Sequence, residues 1–198
     1  MVLEADRLPE PPERLTAPLD LTEEEVLAWR LHRDEDPLHV SSCPAGRFRF
    51  DAPSGEYRSL YCNADRLAAF AEVYGDVRVI DTDQKDRRLS RIVSREKLLL
   101  VPLDDPATQK RLGLDGRIGM SRQYPTKQRW ALSLFHWFPE AHGIRYLSRH
   151  AGEHRNHCLF LDRCAGKLRY EEHGSISSLR DLVLLAADNY HLGVHWDA

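Results

Sequence analysis

Basic and aromatic side chains alternate at Arg47, Phe48, Arg49 and Phe50, inside a stretch rich in proline, glycine and serine. Guanidinium groups donate paired hydrogen bonds to oxyanions, and aromatic rings pack on flat ligands, so this run fits a binding loop. The same alternation fits a short strand with a basic outer face equally well. The surrounding residues 34–57 predict a long surface loop, and a loop of that length in a compact domain is usually functional or disordered.

A carboxylate, Glu72, is predicted to stand off the apolar face of a short helix. Residues 59–62 are typical of a strand, Asn63 or Asp65 then caps a helix, and Gly75 ends it. At 100° per residue the large apolar side chains of this helix share one face, and Glu72 lies well away from its centre. Periodicity alone favours a solvated carboxylate, and the alternative is a site residue at the strand-to-helix corner.

A metal site is not predicted. The run from His154 to Cys158 contains two histidines and a cysteine, which are zinc ligands, but no second cluster completes a tetrahedral set at a familiar spacing. The four cysteines, at positions 43, 62, 158 and 164, include no Cys-x-x-Cys pair, so we interpret them as reduced thiols. Cys62 and Cys158 lie in apolar runs and are expected to be small buried hydrophobic residues.

The composition is that of a soluble globular protein. A chain of 198 residues allows one ordinary domain, and its net charge of -3 argues against specialised nucleic-acid binding. No apolar run reaches the roughly 20 residues that a membrane-spanning helix needs. Residues 1–21 are acidic and lack the basic start and apolar stretch of a secretion signal, so a cytoplasmic location is expected. We predict a flexible, proline-rich arm over residues 1–20 and one domain over 21–198.

The predicted strands and helices mix without the strict alternation of a doubly wound fold, so the sequence predicts an α+β domain whose mixed sheet is flanked by helices. A capping box at Thr22 and Glu25 predicts a short helix, and a strand over Leu27–His32 then carries Arg30. The basic segment 84–97 is interpreted as a loop or an exposed helix. The other predicted elements are strands at 98–103, 143–148, 158–162 and 167–170 and helices at 105–113, 126–138 and 177–191.

A series of short runs, taken in order, resembles the RES family, which is named for an arginine, a glutamate and a serine. The runs are Trp29–His32, Gly46–Asp51, Leu60–Cys62, Ala71–Val73, Thr126–Ala131, Gly143–Ser148 and Leu159–Phe160. None of them is diagnostic alone, but their order and spacing are specific, and the resemblance covers roughly residues 27–162.

The resemblance implies an enzyme that consumes NAD as a substrate, needs no bound cofactor and has a fold resembling ADP-ribosyltransferases. Members of the family are known as toxins of bacterial toxin–antitoxin modules, held inactive by an antitoxin that also carries a helical DNA-binding domain. Some split NAD with phosphate as co-substrate, and others transfer ADP-ribose to a protein. Three interpretations stay open: an NAD glycohydrolase or phosphorylase, a protein ADP-ribosyltransferase, and a non-catalytic module that binds a nucleotide or partner through segment 85–97. A homo-oligomer is compatible with each.

The resemblance also assigns residues to the parts of NAD, which carries a pyrophosphate, two riboses and a cationic nicotinamide leaving group. Arg30 and Arg49, if they converge, offer planar forks of donors to the phosphate oxygens. Tyr61, at a strand end, would stack on nicotinamide or donate its hydroxyl to a ribose.

Glu72 is assigned to the reacting sugar. Breaking the glycosidic bond builds positive charge on the ribose, and a nearby carboxylate would stabilise that state while bonding a ribose hydroxyl. The serine of the family corresponds best to Ser148, and Thr126, ahead of a predicted helix, is its rival. If Glu72 lies far from both Arg30 and Arg49, with no shared cavity, these roles are wrong.

Overall fold

The computed structural model describes residues 7–33, 35–40, 46–83 and 87–196. The strands are β1 (Thr22–Glu24), β2 (Leu27–His32), β3 (Ser59–Asn63), β4 (Val79–Asp81), β5 (Arg88–Ser94), β6 (Leu98–Pro102), β7 (Gly143–Leu147), β8 (Arg155–Phe160), β9 (Leu168–Ser175) and β10 (Gly193–His195). Eight of these strands form a mixed sheet in the order β1-β6-β7-β8-β3-β2-β5-β9, and β10 and β4 form a small parallel pair. Among the described residues, only the β6–β7 pairing of the large sheet is parallel.

Helices flank this sheet, which confirms the prediction of an α+β domain. They are α1 (Arg66–Tyr74), α2 (Pro106–Arg111), α3 (Arg117–Met120), α4 (Tyr124–Trp137) and α5 (Arg180–Tyr190). Asp65 caps α1, because its carboxylate accepts hydrogen bonds from the first backbone N–H groups of the helix, as predicted. In the described part of the chain, none of the helices is long and apolar enough to cross a membrane.

The two faces of the sheet bury different clusters, because successive residues of a strand point to opposite sides. On one face Phe50 and Phe160 pack with Trp130 of α4. On the other face Leu60 and Cys62 of β3 pack with residues of β5 and β6. The predicted loop over 34–57 contains no helix or strand in its described parts. It lies partly on the surface, where Arg47, Phe48 and residues 54–56 are exposed, and partly in the core, where Phe50 is fully buried.

Strands β2 and β3 pair at a single position, Trp29 with Asn63, whereas β2 pairs with β5 over its whole length. Beyond that position the two strands separate. Arg30 of β2 bridges the gap, where its Nη1 donates to the carbonyl oxygen of Tyr61 at 3.1 Å. Because the strands separate here, the charged side chain of Arg30 fits between them and reaches Tyr61 on β3.

Two elements differ from the prediction. The capping box at Thr22 and Glu25 does not start a helix, because residues 22–24 pair with β6 as strand β1. The basic segment 84–97 contains β5, an internal strand between β2 and β9. Its charges are compatible with a strand, since Arg91 forms an ion pair with Glu171 on the neighbouring strand. The two residues lie 80 positions apart in the sequence, so the local pattern does not reveal this pair.

The described residues of the N-terminal arm, 7–20, contact helix α4, and the flexibility of the arm stays a prediction. Leu8 is buried, and the indole N–H of Trp130 donates to the carbonyl oxygen of Pro9 at 2.7 Å. Glu10 accepts two hydrogen bonds from the guanidinium of Arg129. Proline has no N–H to donate but has a carbonyl oxygen that accepts, so the proline-rich arm binds α4 through hydrogen bonds donated by side chains of the helix. The domain boundary at residue 20 stays a prediction.

Three cysteines, at positions 62, 158 and 164, are free and buried. Free thiols were predicted for all of them, and burial for Cys62 and Cys158. Burial raises the pKa of the Cys62 thiol to about 12, so this sulfur is not poised for nucleophilic chemistry. Cys43 lies outside the described residues.

Candidate active site

A cavity of about 440 Å³ opens on the face of the sheet that carries Tyr61 and is lined by residues of β2, β3, β7, β8, α1 and the loop before β3. Its floor includes a row of register partners, namely Trp29, Asn63, Asn156 and Tyr146 on four neighbouring strands. Neighbouring strands lie about 4.8 Å apart, so this row is about 14 Å long. The cavity is therefore elongated across the strands.

The predicted residues Arg30, Arg49, Tyr61 and Glu72 all line this cavity. They come from β2, the loop at 46–57, β3 and α1, four separate parts of the chain. The convergence on which their roles depended is thus present in the structure.

Ser148, just after β7, is fully buried beneath Glu72. Its hydroxyl donates to Glu72 Oε1 at 2.5 Å and accepts hydrogen bonds from the backbone N–H groups of His150 and Ala151. Because those two donors occupy its lone pairs, the hydroxyl proton is directed to the carboxylate. Ser148 is therefore a positioning residue for Glu72.

Thr126 does not line the cavity, which corrects its prediction as a binding residue and rival to Ser148. Helix α4 turns this side chain toward the N-terminal arm, where its hydroxyl lies 3.5 Å from Glu10 and accepts from Arg129. Tyr124, two residues earlier on the same helix, lines the cavity instead.

Arg49 is 7% exposed, and its guanidinium lies 5.4 Å from the centroid of the Tyr146 ring. Its Nε and Nη1 are buried without a hydrogen-bond partner among the described residues. The loop that carries it is fixed from α4, because Gln128 donates to the carbonyl oxygens of Gly46 and Phe48. Gly46 has φ +76°, and a Cβ there would lie 3.3 Å from Gln128 Oε1, so the turn requires glycine.

The Tyr61 hydroxyl supports this loop rather than facing a ligand. It donates to Asp51 Oδ1 and accepts from the backbone N–H of Phe50, both at 2.9 Å. Burial raises the pKa of Tyr61 well above its ordinary value, so the phenol stays protonated. The interpretation of the hydroxyl as a ribose donor is therefore revised, and the ring, which meets Phe48 edge-on, remains the part that lines the cavity.

The sequence interpretation missed Arg149 and Asn156, which also line the cavity. Arg149 bonds Asp76 through Nη2, and its buried Nη1 has no partner in the described part of the chain. Asn156 accepts from Asn63 through Oδ1, and its Nδ2 is buried with no hydrogen-bond partner where the structure describes the chain. The only sequence signal for Arg149 was its place directly after the strand end that bears Ser148.

Lys127 of α4 adds a third basic side chain next to Arg49 and Arg149. It is fully buried, and its Nζ donates to the carbonyl oxygen of Ser121 at 2.5 Å. Burial, together with the positive charges of Arg49 and Arg149, lowers the pKa of Lys127 to about 6. The fold therefore keeps this amine mostly neutral at pH 7.

Lys127→Met is expected to stabilise the protein, and the gain is expected to shrink as the pH rises. The unfolded lysine has its ordinary pKa of 10.5 and the folded one about 6. Between these values the unfolded chain binds one proton more, so the free energy of unfolding of the wild type increases with pH, whereas the variant lacks this contribution. Thermal unfolding of both proteins from about pH 6 to about pH 10 measures the difference, at ~2–4 °C per kcal/mol.

The matched control is Lys110→Met on α2, because Lys110 is exposed. That change should leave the pH dependence of the melting temperature as it is in the wild type. A melting-temperature difference for Lys127→Met that stays constant across the pH range would contradict a depressed pKa.

Candidate metal ligands group elsewhere. Asp81, Asp83 and His195, around β4 and β10, place their ligand atoms within 4.8 Å of one another. The run from His154 to Cys158 does not converge, because His157 Nε2 bonds Glu24 while Cys158 contacts the carbonyl oxygen of Phe50 on the opposite face.

The model of the RES domain family matches residues 27–179. This chain belongs to the RES family. The match contains every residue of the cavity described above, which places the cavity within the RES domain.

Among solved structures, the RES chain is similar to one in the crystal structure of the M. tuberculosis MbcT-MbcA toxin-antitoxin complex. The TM-score is 0.56 at 15% sequence identity, over 85% of this chain and 90% of the other. At that identity the similarity shows a shared fold. A search of the curated proteins finds no match.

Proposed function

We propose that this RES protein is an NAD-consuming enzyme that cleaves the bond between nicotinamide and ribose. The observation that carries the proposal is a set of buried donors that have no hydrogen-bond partner among the described residues, in the same cavity as one oriented carboxylate. The donors are Arg49 Nε and Nη1, Arg149 Nη1 and Asn156 Nδ2.

These groups predict a ligand rich in hydrogen-bond acceptors. Leaving a buried donor unpaired costs ~1–3 kcal/mol, and more for a charged group, so native proteins rarely retain one without a partner. The two guanidiniums match pyrophosphate oxygens in charge and shape, and the amide of Asn156 matches a hydroxyl or carboxamide oxygen. A dinucleotide such as NAD presents all of these acceptors.

Glu72 supports the choice of reaction. When the nicotinamide–ribose bond breaks, its electron pair stays on the nicotinamide nitrogen, which becomes neutral, and positive charge develops on the ribose. A carboxylate held by Ser148 stabilises that charge without having to reorient. Water or a phosphate oxygen then forms the new bond to the anomeric carbon, and water loses a proton in doing so.

The proposed physiological role is that of the toxin of a toxin–antitoxin module in the cytoplasm. The fold similarity to a chain of a toxin–antitoxin complex supports this role, as does membership of the RES family. The expected partner is an antitoxin that carries a helical DNA-binding domain. At the cavity, Phe48 and Val73 are apolar and exposed, and a partner chain would cover them.

Incubation of the purified protein with NAD tests the reaction. We expect loss of NAD with release of nicotinamide, and ADP-ribose as the second product in buffer without phosphate. If phosphate is the acceptor, the second product becomes ADP-ribose 1″-phosphate and the rate rises with phosphate. Labelled ADP-ribose on a macromolecule instead would identify a protein ADP-ribosyltransferase, and intact NAD in every buffer, with folded protein free of antitoxin, would refute the proposal.

A further inference from the structure

We infer that two copies of this chain associate through strand β9, which pairs antiparallel with β9 of the second copy about a twofold axis at Tyr170. The two large sheets then form one continuous sheet. Both cavities open on the same face of it, because residues directly opposite each other in a sheet point to the same side. The association goes beyond the proposed function and does not depend on it, since no residue of β9, all of which the structure describes, lines the cavity.

The outer edge of β9 is available for pairing. Strand β9 is the last strand of the large sheet, and among the described residues no strand pairs with its outer side. The strand at the opposite end, β1, has three residues, whereas β9 has eight and contains neither proline nor lysine. Proteins commonly protect an edge with such residues or keep it short, because its free N–H and C=O groups accept a further strand. The edge at β9 lacks these two protections.

The backbone hydrogen bonds between β5 and β9 show which groups face outward. The N–H of Arg95, directly after β5, donates to the carbonyl oxygen of Lys167, directly before β9. Hydrogen-bonded pairs recur at every second residue of an antiparallel ladder, so those of β9 are Arg169 and Glu171. Tyr170 lies between them, and its N–H and C=O therefore point away from β5, to the free edge.

The straight part of this edge is centred on Tyr170. A β-bulge interrupts the pairing of β9 with β5 after Glu172. Bulges bend a strand, so the edge is straight over residues 168–172, and Tyr170 is the midpoint. The carbonyl oxygen of Leu168 is contacted by Nε of Arg95 at 3.4 Å, and a carbonyl oxygen can accept a second hydrogen bond.

Charge complementarity selects the register. With Tyr170 opposite Tyr170, Arg169 of each copy lies opposite Glu171 of the other, and opposite charges at such positions stabilise a sheet. Moving the twofold axis by one residue places Arg169 opposite Arg169 or Glu171 opposite Glu171, which is destabilising. Tyr170 is 41% exposed, so pairing in the favoured register also buries the surface of its ring.

The simpler interpretation is that these exposed charges only keep a solvated edge from pairing. Within one copy, Arg169 and Glu171 already form an ion pair. The two interpretations differ in what they predict for the second copy. A solvated edge predicts a monomer, whereas the proposed pair predicts a dimer whose affinity depends on which charge lies opposite which.

The first experiment measures the mass of the full chain by sedimentation over a range of protein concentrations. We expect a dimer for the wild type and a monomer for Tyr170→Pro, because proline removes the N–H that faces the second copy. An edge strand tolerates proline where the N–H points to solvent, so the pairing with β5 should persist. Tyr170→Phe keeps the N–H and the ring, and it is the matched control that should stay dimeric.

The second experiment tests the register by exchanging charges. In a homodimer, Arg169→Glu places glutamates opposite each other and Glu171→Arg places arginines opposite each other, so each variant should dimerise about 10-fold more weakly. An equimolar mixture of the two should recover the wild-type affinity, because every arginine of the mixed dimer lies opposite a glutamate. Arg66→Glu, at an exposed position on α1, is the control that should leave association unchanged.

The outcomes are decisive without any measurement of NAD cleavage. A wild type that stays monomeric at every concentration overturns the inference, as does a dimer that persists in Tyr170→Pro. A mixture that associates no better than its two components overturns the register at Tyr170. Circular dichroism shows whether each variant is folded, and the two charge variants keep the test decisive if the proline variant is not.

Discussion

Glu72→Gln is expected to lower kcat for NAD cleavage ~100- to 1000-fold while changing KM little, since one group that stabilises transition-state charge is worth about that much. Glutamine keeps the length of the side chain and an oxygen that accepts from Ser148, so the fold and the hydrogen bond should persist. The substitution removes only the negative charge of the carboxylate, which would stabilise the positive charge on the ribose. Steady-state kinetics of nicotinamide release, with thermal unfolding as the check on folding, measure the effect.

Glu153→Gln is the matched control for this change. Glu153 is an exposed carboxylate in the loop between β7 and β8 and does not line the cavity. It should keep wild-type kinetics. If the Glu72 variant retains activity within about tenfold, the charge of Glu72 is not the stabilising group and the mechanism must use another residue.

Local sequence pattern was sufficient to predict a helix whose ends are set by residues within the helix itself or next to it. Asp65 and Gly75 flank α1 as predicted, because a capping carboxylate and a helix-ending glycine each set a helix boundary through contacts within one turn. Glu72 was predicted to stand off the apolar face, and it lies half-buried over the cavity. Periodicity alone favoured solvent for this residue, and only the family resemblance favoured a site.

Partnerships across the sheet were not visible in the sequence. Strand β5 was predicted to be a loop or a helix, because its positive charges have their partners in the glutamates of β9, and that pairing is not visible in the local sequence. Thr22 was predicted to lie in a helix for the same reason, since the strand with which it pairs is β6. Asn156 and Arg149 enter the cavity only because β7 and β8 pair next to β3. Such contacts depend on tertiary pairing, which outweighs local propensity.

The basic side chains around Arg49 suit an anionic ligand, but their mutual repulsion lowers the stability of the folded protein when no ligand is bound. Two guanidiniums and a lysine share a buried region, and the fold accommodates them by holding the pKa of Lys127 well below its usual range. Stability is commonly reduced where a site is organised for a ligand of opposite charge. An anionic ligand would supply the compensating charge, so the apo protein carries an electrostatic cost that binding removes.

Arg49→Met is accordingly expected to weaken NAD binding and stabilise the protein at the same time. We expect a loss in kcat/KM of at least ~100-fold, mainly in KM, because a pyrophosphate contact is present both before and during bond cleavage. Arg49→Lys should restore little of this loss, since an ammonium lacks the planar fork. Arg111→Met on α2, which removes an exposed arginine paired with Asp20, is the control that should keep both kinetics and stability.

The stability measurement distinguishes this role from a structural one. Removal of Arg49 takes away one of the two cations that lower the pKa of Lys127, so the gains from Arg49→Met and Lys127→Met should be less than additive in the double variant. A structural arginine would instead give a lower melting temperature on its own. If Arg49→Met both unfolds more easily and retains its affinity for NAD, Arg49 is a packing residue, and the buried donors of this cavity require another explanation.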